Sequence, residues 1–241
     1  MASPAITPQT GSTTNLWLLL SLLFSLLVLP LLEGSYAGRV LLLLGLTITF
    51  ILGVSAARSN LRLITFILLV VALPTAWATL FVNSKPIFVA HCLLGSAFYW
   101  IVGGIVVYVV IRTHVVTFDS VFGAVSAYLL FGLAWALSYW AIHSVTPDAF
   151  SFPEGTASTG GAESPQVVDF SHFIYYSFVT MSTLGYGDVL PLNRITRTLS
   201  WLQSVTGQFY VAVVIAWLVS ALPRPGSGVK EIDRRVESFR D

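Results

Sequence analysis

The sequence predicts an all-α membrane protein. Six helices cross a bilayer, and one short helix between the fifth and the sixth enters it without crossing. Three observations carry this. With 56% hydrophobic and 10% charged residues and a mean hydropathy of +0.83, the chain lies outside the composition of water-soluble domains. Its apolar residues fall into six long, nearly uncharged runs, at 16–32, 40–56, 63–82, 87–111, 120–143 and 195–222, of the length a spanning helix needs. A further apolar run, Phe170–Met181, is too short to cross, as expected of a re-entrant half-helix.

The first run follows a segment, 1–15, without Lys or Arg. No basic n-region precedes it, so it is expected to be a retained helix rather than a signal peptide. The links 33–39 and 58–62 leave no room for domains between the early spans, which makes consecutive spans antiparallel neighbours. Small residues in the fourth run, Gly95, Ser96, Gly103 and Gly104, suit close helix contacts. Its single cysteine, Cys92, excludes an intrachain disulfide. The fifth link, 144–166, is rich in Ser, Thr, Gly, Pro and Ala and reads as an external loop. With that loop outside, Arg58, Arg62, Arg112, Arg224, Lys230, Arg234, Arg235 and Arg240 lie inside, and Arg39, Lys85, Arg194 and Arg197 outside. The asymmetry places both termini in the cytoplasm. Pro223 and Pro225 end the last helix before a short tail. The expected divisions are therefore a cytoplasmic segment 1–15, a four-helix membrane domain 16–112, a second domain 113–222 with the short helix, and a cytoplasmic tail 223–241. A net charge of +1 without an aromatic-flanked basic cluster gives no reason to expect nucleic acid.

Backbone that is not helical at membrane depth must be buried in protein or line a watery path, and 183–188 is such a segment. Thr180-Met181-Ser182-Thr183-Leu184-Gly185-Tyr186-Gly187-Asp188 resembles the TxTTVGYGD signature of potassium channels. A potassium ion leaving water needs a replacement shell of oxygens. Consecutive carbonyls face one axis only where the chain visits left-handed conformations, which Gly185 and Gly187 permit. The resemblance implies K+ at Thr183, Leu184, Gly185 and Tyr186, with Gly187 completing the selectivity filter. It also implies a homotetramer, because one chain carries one loop. Ser182 and Leu184 stand where Thr and Val are commoner. Tyr175 and Tyr176 are expected to brace the filter by hydrogen bonds toward Tyr186 or Asp188, and Asp188 to act at the outer mouth as their structural partner. Residues 118–142, with Tyr128-Leu129-Leu130-Phe131-Gly132, and 199–218, with Val205-Thr206-Gly207-Gln208-Phe209-Tyr210, are similar to the outer and inner helices of a bacterial branch of this family.

The layout also resembles that of voltage-gated channels, yet 86–111 contains no charged residue and only Arg112 stands at its end. One charge moved through 100 mV yields about 2.3 kcal/mol, so a helix without charges cannot drive steep voltage gating. The first four helices are expected to form a lipid-facing collar. Gly207 is read either as a gate hinge or as a close-contact residue, and Gln208 as lining a cavity or bonding a neighbour. His91 and His143 lack a carboxylate cluster and do not suggest a metal site; His172, at the outer start of the short helix, is a candidate pH sensor. No nucleophile and base occur in a catalytic arrangement, and no cofactor is expected beyond K+ itself. The implied function is passive potassium conduction in a plasma membrane, with membrane lipids as further partners. A less selective cation channel and a non-conducting scaffold are the alternatives.

Overall fold

A computed structural model describes residues 14–32, 36–56, 59–82, 84–112, 117–153 and 170–220. All six long runs are helical: α1 (Thr14–Leu32), α2 (Tyr36–Ala56), α3 (Ser59–Ala78), α4 (Lys85–Arg112), α5 (Phe118–Val145) and α7 (Arg194–Ser220), with the short α6 (Phe170–Met181) between the last two. A single 3-10 turn (Pro147–Ala149) leads into the two-residue strand β1 (Phe150–Ser151), which pairs antiparallel with β2 (Leu190–Pro191). Among the described residues, α4, α5 and α7 are long and apolar enough to cross a membrane. The shorter apolar stretches Thr14–Val28, Leu43–Gly53 and Leu63–Ala78 belong to α1, α2 and α3. Segments 1–13, 154–169 and 221–241, with Glu154, Glu163, Asp169 and the basic tail, lie outside the described residues, as do the side chains of Arg39, Arg58 and Arg62.

The centre of the molecule is α5. Its small residues let neighbours close in from several sides, and it is largely buried, whereas α7 is largely exposed. On one side lies α4, packed along α5's length. A Cβ at Gly103 would come within 2.7 Å of the Phe131 ring, and one at Gly95 would sit 3.0 Å from Leu137. Between them the Ser96 hydroxyl bonds the Ala134 carbonyl at 2.9 Å, and Trp100 packs against Phe131 and Trp135. The small-residue expectation thus describes Gly95, Ser96 and Gly103. It fails for Gly104, which faces open space, because a helix a hundred degrees further round presents a different side.

α1 packs on α2 and α5, and α3 on α2 and α4. At one end of the bundle, Asn15 of α1 meets Asp119 in the first turn of α5. The Asn15 amide N–H donates to Asp119 Oδ1 at 3.3 Å and its side-chain Nδ2 to Oδ2 at 2.8 Å. Thr117 caps the same end of α5, accepting from Ser120 N at 3.2 Å. The carboxylate therefore stands at the positive ends of two helices at once, where the dipoles favour it.

Candidate functional site

The second half of the chain folds around α6, which is held between α5 and α7. Ser177 of α6 donates to the Gly132 carbonyl of α5 at 2.6 Å. Gln203 of α7, fully buried, donates to Ser177 Oγ at 2.7 Å and to its carbonyl at 3.0 Å. Tyr139 of α5 donates to Gln203 Oε1 at 2.8 Å, closing the set. One amide thus ties three helices, and every polar atom in the knot is satisfied, as an apolar surrounding requires. Sequence reading missed Gln203, Ser177 and Tyr139. A glutamine in a membrane-spanning run, among Ser200, Ser204, Thr206 and Gln208, was the available signal, because polar groups at membrane depth are retained for a reason.

After Met181 the chain leaves the helix but does not leave it behind. Ser182 N bonds Phe178 O at 2.9 Å, Thr183 N bonds Thr180 O at 3.1 Å, and the Leu184 and Gly185 amides both reach Val179 O, at 3.0 and 3.3 Å. Thr183, Gly185 and Gly187 have φ of 60°, 56° and 79°. Left-handed residues thus alternate with ordinary ones. Residues 182–188 are all exposed, and a Cβ at Gly185 or Gly187 would meet nothing within 4 Å. The glycines are there for conformation, not for space.

At the outer end of this segment Tyr175 donates to Asp188 Oδ2 at 2.6 Å, and its ring stacks against Tyr186 with centroids 6.5 Å apart. Asp188 Oδ1 also accepts from Val189 N at 3.0 Å. Tyr176 does otherwise: its hydroxyl bonds Ser200 of α7 and its ring packs against Tyr139 and Phe150. The expectation that both tyrosines brace the loop is corrected to Tyr175 alone. Adjacent helical residues point about 100° apart, so only one can face the loop. The outer turn is closed by β1–β2, by Leu192 N to Ala149 O at 2.9 Å, and by Asn193, whose side chain caps α7 by accepting from Thr196 N at 2.8 Å. His172 packs edge-on to Phe152.

The Tyr175 hydroxyl holds the Asp188 carboxyl below its usual 3.8, and that same bond pushes Tyr175 up to about 12. The depressed carboxyl is paired at any pH above its folded value, and the pairing is lost only as pH falls through that value. The raised phenol keeps its proton until pH climbs to about 12. The expected result is a Tyr175–Asp188 bond indifferent to pH from below 3.8 up to about 12. Tyr175→Phe should move the acid limb of any activity profile upward, toward the ordinary carboxylate range. An acid limb in the same place would separate Asp188 from it.

At the inner end, Gly207 of α7 lies against the end of α6, and a Cβ there would fall 2.2 Å from the Met181 carbonyl oxygen. α7 runs unbroken through this position. The close-contact reading of Gly207 has its counterpart in this geometry. Next to it, Gln208 Nε2 donates to Thr183 Oγ1 at 3.3 Å.

A helix, a re-entrant half-helix with an exposed loop of alternating handedness, and a second helix make up residues 118–220. The family model described as "Ion channel" matches residues 96–224, which is more than half of the chain. The chain belongs to the ion channel family. This ion channel is also 30% identical, over 76 residues, to the inward rectifier potassium channel Kirbac3.1 of Paramagnetospirillum magnetotacticum. That alignment covers 32% of the chain and 26% of the relative, so the chain spans about a quarter of the relative it matches. No solved structure matches it. As a member of this family it is a membrane protein and not an enzyme, and the region matched takes in α5, α6, the loop and α7 together.

Proposed function

We propose that the chain is one subunit of a potassium-selective channel that conducts as a homotetramer, with the ion path along Thr183, Leu184, Gly185, Tyr186 and Gly187. The observation that carries the reading is the alternation of positive φ at Thr183, Gly185 and Gly187. A column of carbonyl oxygens along one edge, the ligand set a dehydrating potassium ion needs, requires backbone of such alternating handedness. Four copies around an axis supply the remaining oxygens, and they also give the exposed apolar residues Trp201, Val205, Phe209 and Val213 of α7 something to pack on besides lipid. The end of α6, with its negative dipole, is aimed at the same path. Potassium over other cations follows from the Gly-Tyr-Gly segment and accords with the name of the related channel. In the whole protein, α1 to α4 form a collar of four spans without gating charges, residues 113–222 form the pore domain, and both termini face the cytoplasm of a plasma membrane.

The test is potassium efflux from liposomes holding the purified protein, compared with Gly185→Ala. An L-residue at φ of 56° costs roughly 1–2 kcal/mol, incurred in each of four chains that share one filter. Efflux that is blocked by barium, excludes sodium and falls at least tenfold in Gly185→Ala is the expected result. Efflux carried equally by sodium would make this a less selective cation channel, and none at all from an intact tetramer would point to a scaffold.

A further inference from the structure

Thr183 is the sole non-glycine residue with positive φ among the described residues. For a β-branched side chain this is a conformational outlier, and such residues persist only where their surroundings over-determine them. Three bonds do so here. Thr183 N bonds Thr180 O at 3.1 Å, the Thr183 hydroxyl donates to the Ser182 carbonyl at 2.7 Å, and Gln208 Nε2 donates to that same hydroxyl oxygen at 3.3 Å. The first comes from the last turn of α6 and the second from the loop itself. The third comes from another helix.

We infer that Gln208 is a positioning residue for the innermost ion site: by bonding Thr183 Oγ1 it fixes how the hydroxyl faces a cation. This rests on the proposal that 183–187 conducts potassium. A hydroxyl has one proton and two lone pairs. The proton goes to Ser182 O and one lone pair accepts from Gln208, which leaves one lone pair in a fixed direction for an ion. Without Gln208 the hydroxyl keeps its proton bond but gains a second free lone pair and the freedom to turn, so the site loses its defined geometry. Gly207 makes the contact unavoidable, because only a glycine lets α7 approach the Met181 carbonyl this closely and so brings the next residue within reach of Thr183. The inner helix thereby contributes to selection at the filter, through a neutral amide that touches a filter side chain rather than the ion.

The experiment uses barium, a divalent cation close to potassium in size, applied from the side of the filter that α7 lines. Gln208→Met keeps the length and removes the donor; Gln208 is exposed in the chain, so the variant has no buried contact to lose. The expected result is a roughly tenfold weaker barium block, summed over the four bonds lost in the tetramer, and a lower potassium-to-sodium permeability ratio. Thr183→Val should weaken the block similarly, and Gln208→Met added to Thr183→Val should do nothing more, because both act on one hydroxyl. Should a variant not conduct, the rise in thermal midpoint that barium gives the purified protein reads the same site and should shrink alike. An unchanged block and midpoint in Gln208→Met, or additive losses in the double variant, overturn the inference while leaving the channel reading intact. A wild-type protein that passes no potassium overturns the functional reading, and this inference with it.

Discussion

Gly207→Ala is expected to destabilise the folded protein by about 3 kcal/mol, the upper part of the range for forcing an extra carbon into a packed site. The sign is what makes this informative. Alanine is the better helix former by about 1 kcal/mol, so a glycine that served only as a flexible hinge would give a more stable protein on substitution, with altered gating. Here the added carbon meets the Met181 carbonyl oxygen at 2.2 Å and the Met181 side chain at 2.8 Å. Backbone cannot step aside as a side-chain tip can. Met181→Ala should therefore fail to rescue Gly207→Ala, since it removes the side chain and leaves the carbonyl. Thermal unfolding in detergent, with the tetramer followed in parallel, checks both statements, and an unchanged or raised midpoint in Gly207→Ala would restore the hinge.

Gln203→Leu is expected to cost about 2 kcal/mol and to loosen α6 enough to reduce flux severalfold. Interhelical hydrogen bonds in membranes are worth only about 0.6 kcal/mol on average. The larger figure comes from what is left behind, a buried Tyr139 hydroxyl whose acceptor was Gln203 Oε1 and a Ser177 oxygen and carbonyl without their donor. Adding Tyr139→Phe should return about half of the loss, because the orphaned hydroxyl goes with it. Gln203→Glu, neutral in this setting, still offers one acceptor and one donor and should behave nearly as wild type. A stability series in which Gln203→Leu equals wild type would reduce the knot to a coincidence of packing.

The helices were legible because burial in lipid demands long apolar runs. α6 was expected at Phe170–Met181 and lies at those residues, and the other six runs differ from their helices only by a few residues at the ends. The short strand pair was not legible. Phe150–Ser151 and Leu190–Pro191 carry no alternation of their own and pair only because α5 and the loop bring them together. The loop's glycines were readable, since Gly185 and Gly187 advertise the positive φ that they adopt. Thr183 was not, because nothing local to threonine announces a left-handed backbone; it is imposed by the end of α6 and by Gln208. Tyr175 and Tyr176 looked equivalent on paper and were separated by helical geometry alone. Gln203 reads in sequence as one of several polar residues in its run, and its partners lie 64 and 26 residues away.

The bonds between Asn15 and Asp119 set a mechanical condition on α1 and α5. α1 and α5 begin side by side, joined through one carboxylate and one amide. Two rods pinned together at one tip can splay, but neither can piston past the other. Any relative tilt of α1 and α5 therefore has its pivot at Asp119. The lever arm is longest at the opposite face, where α5 runs into Pro147–Ala149 and the β1–β2 clip behind the outer end of the loop.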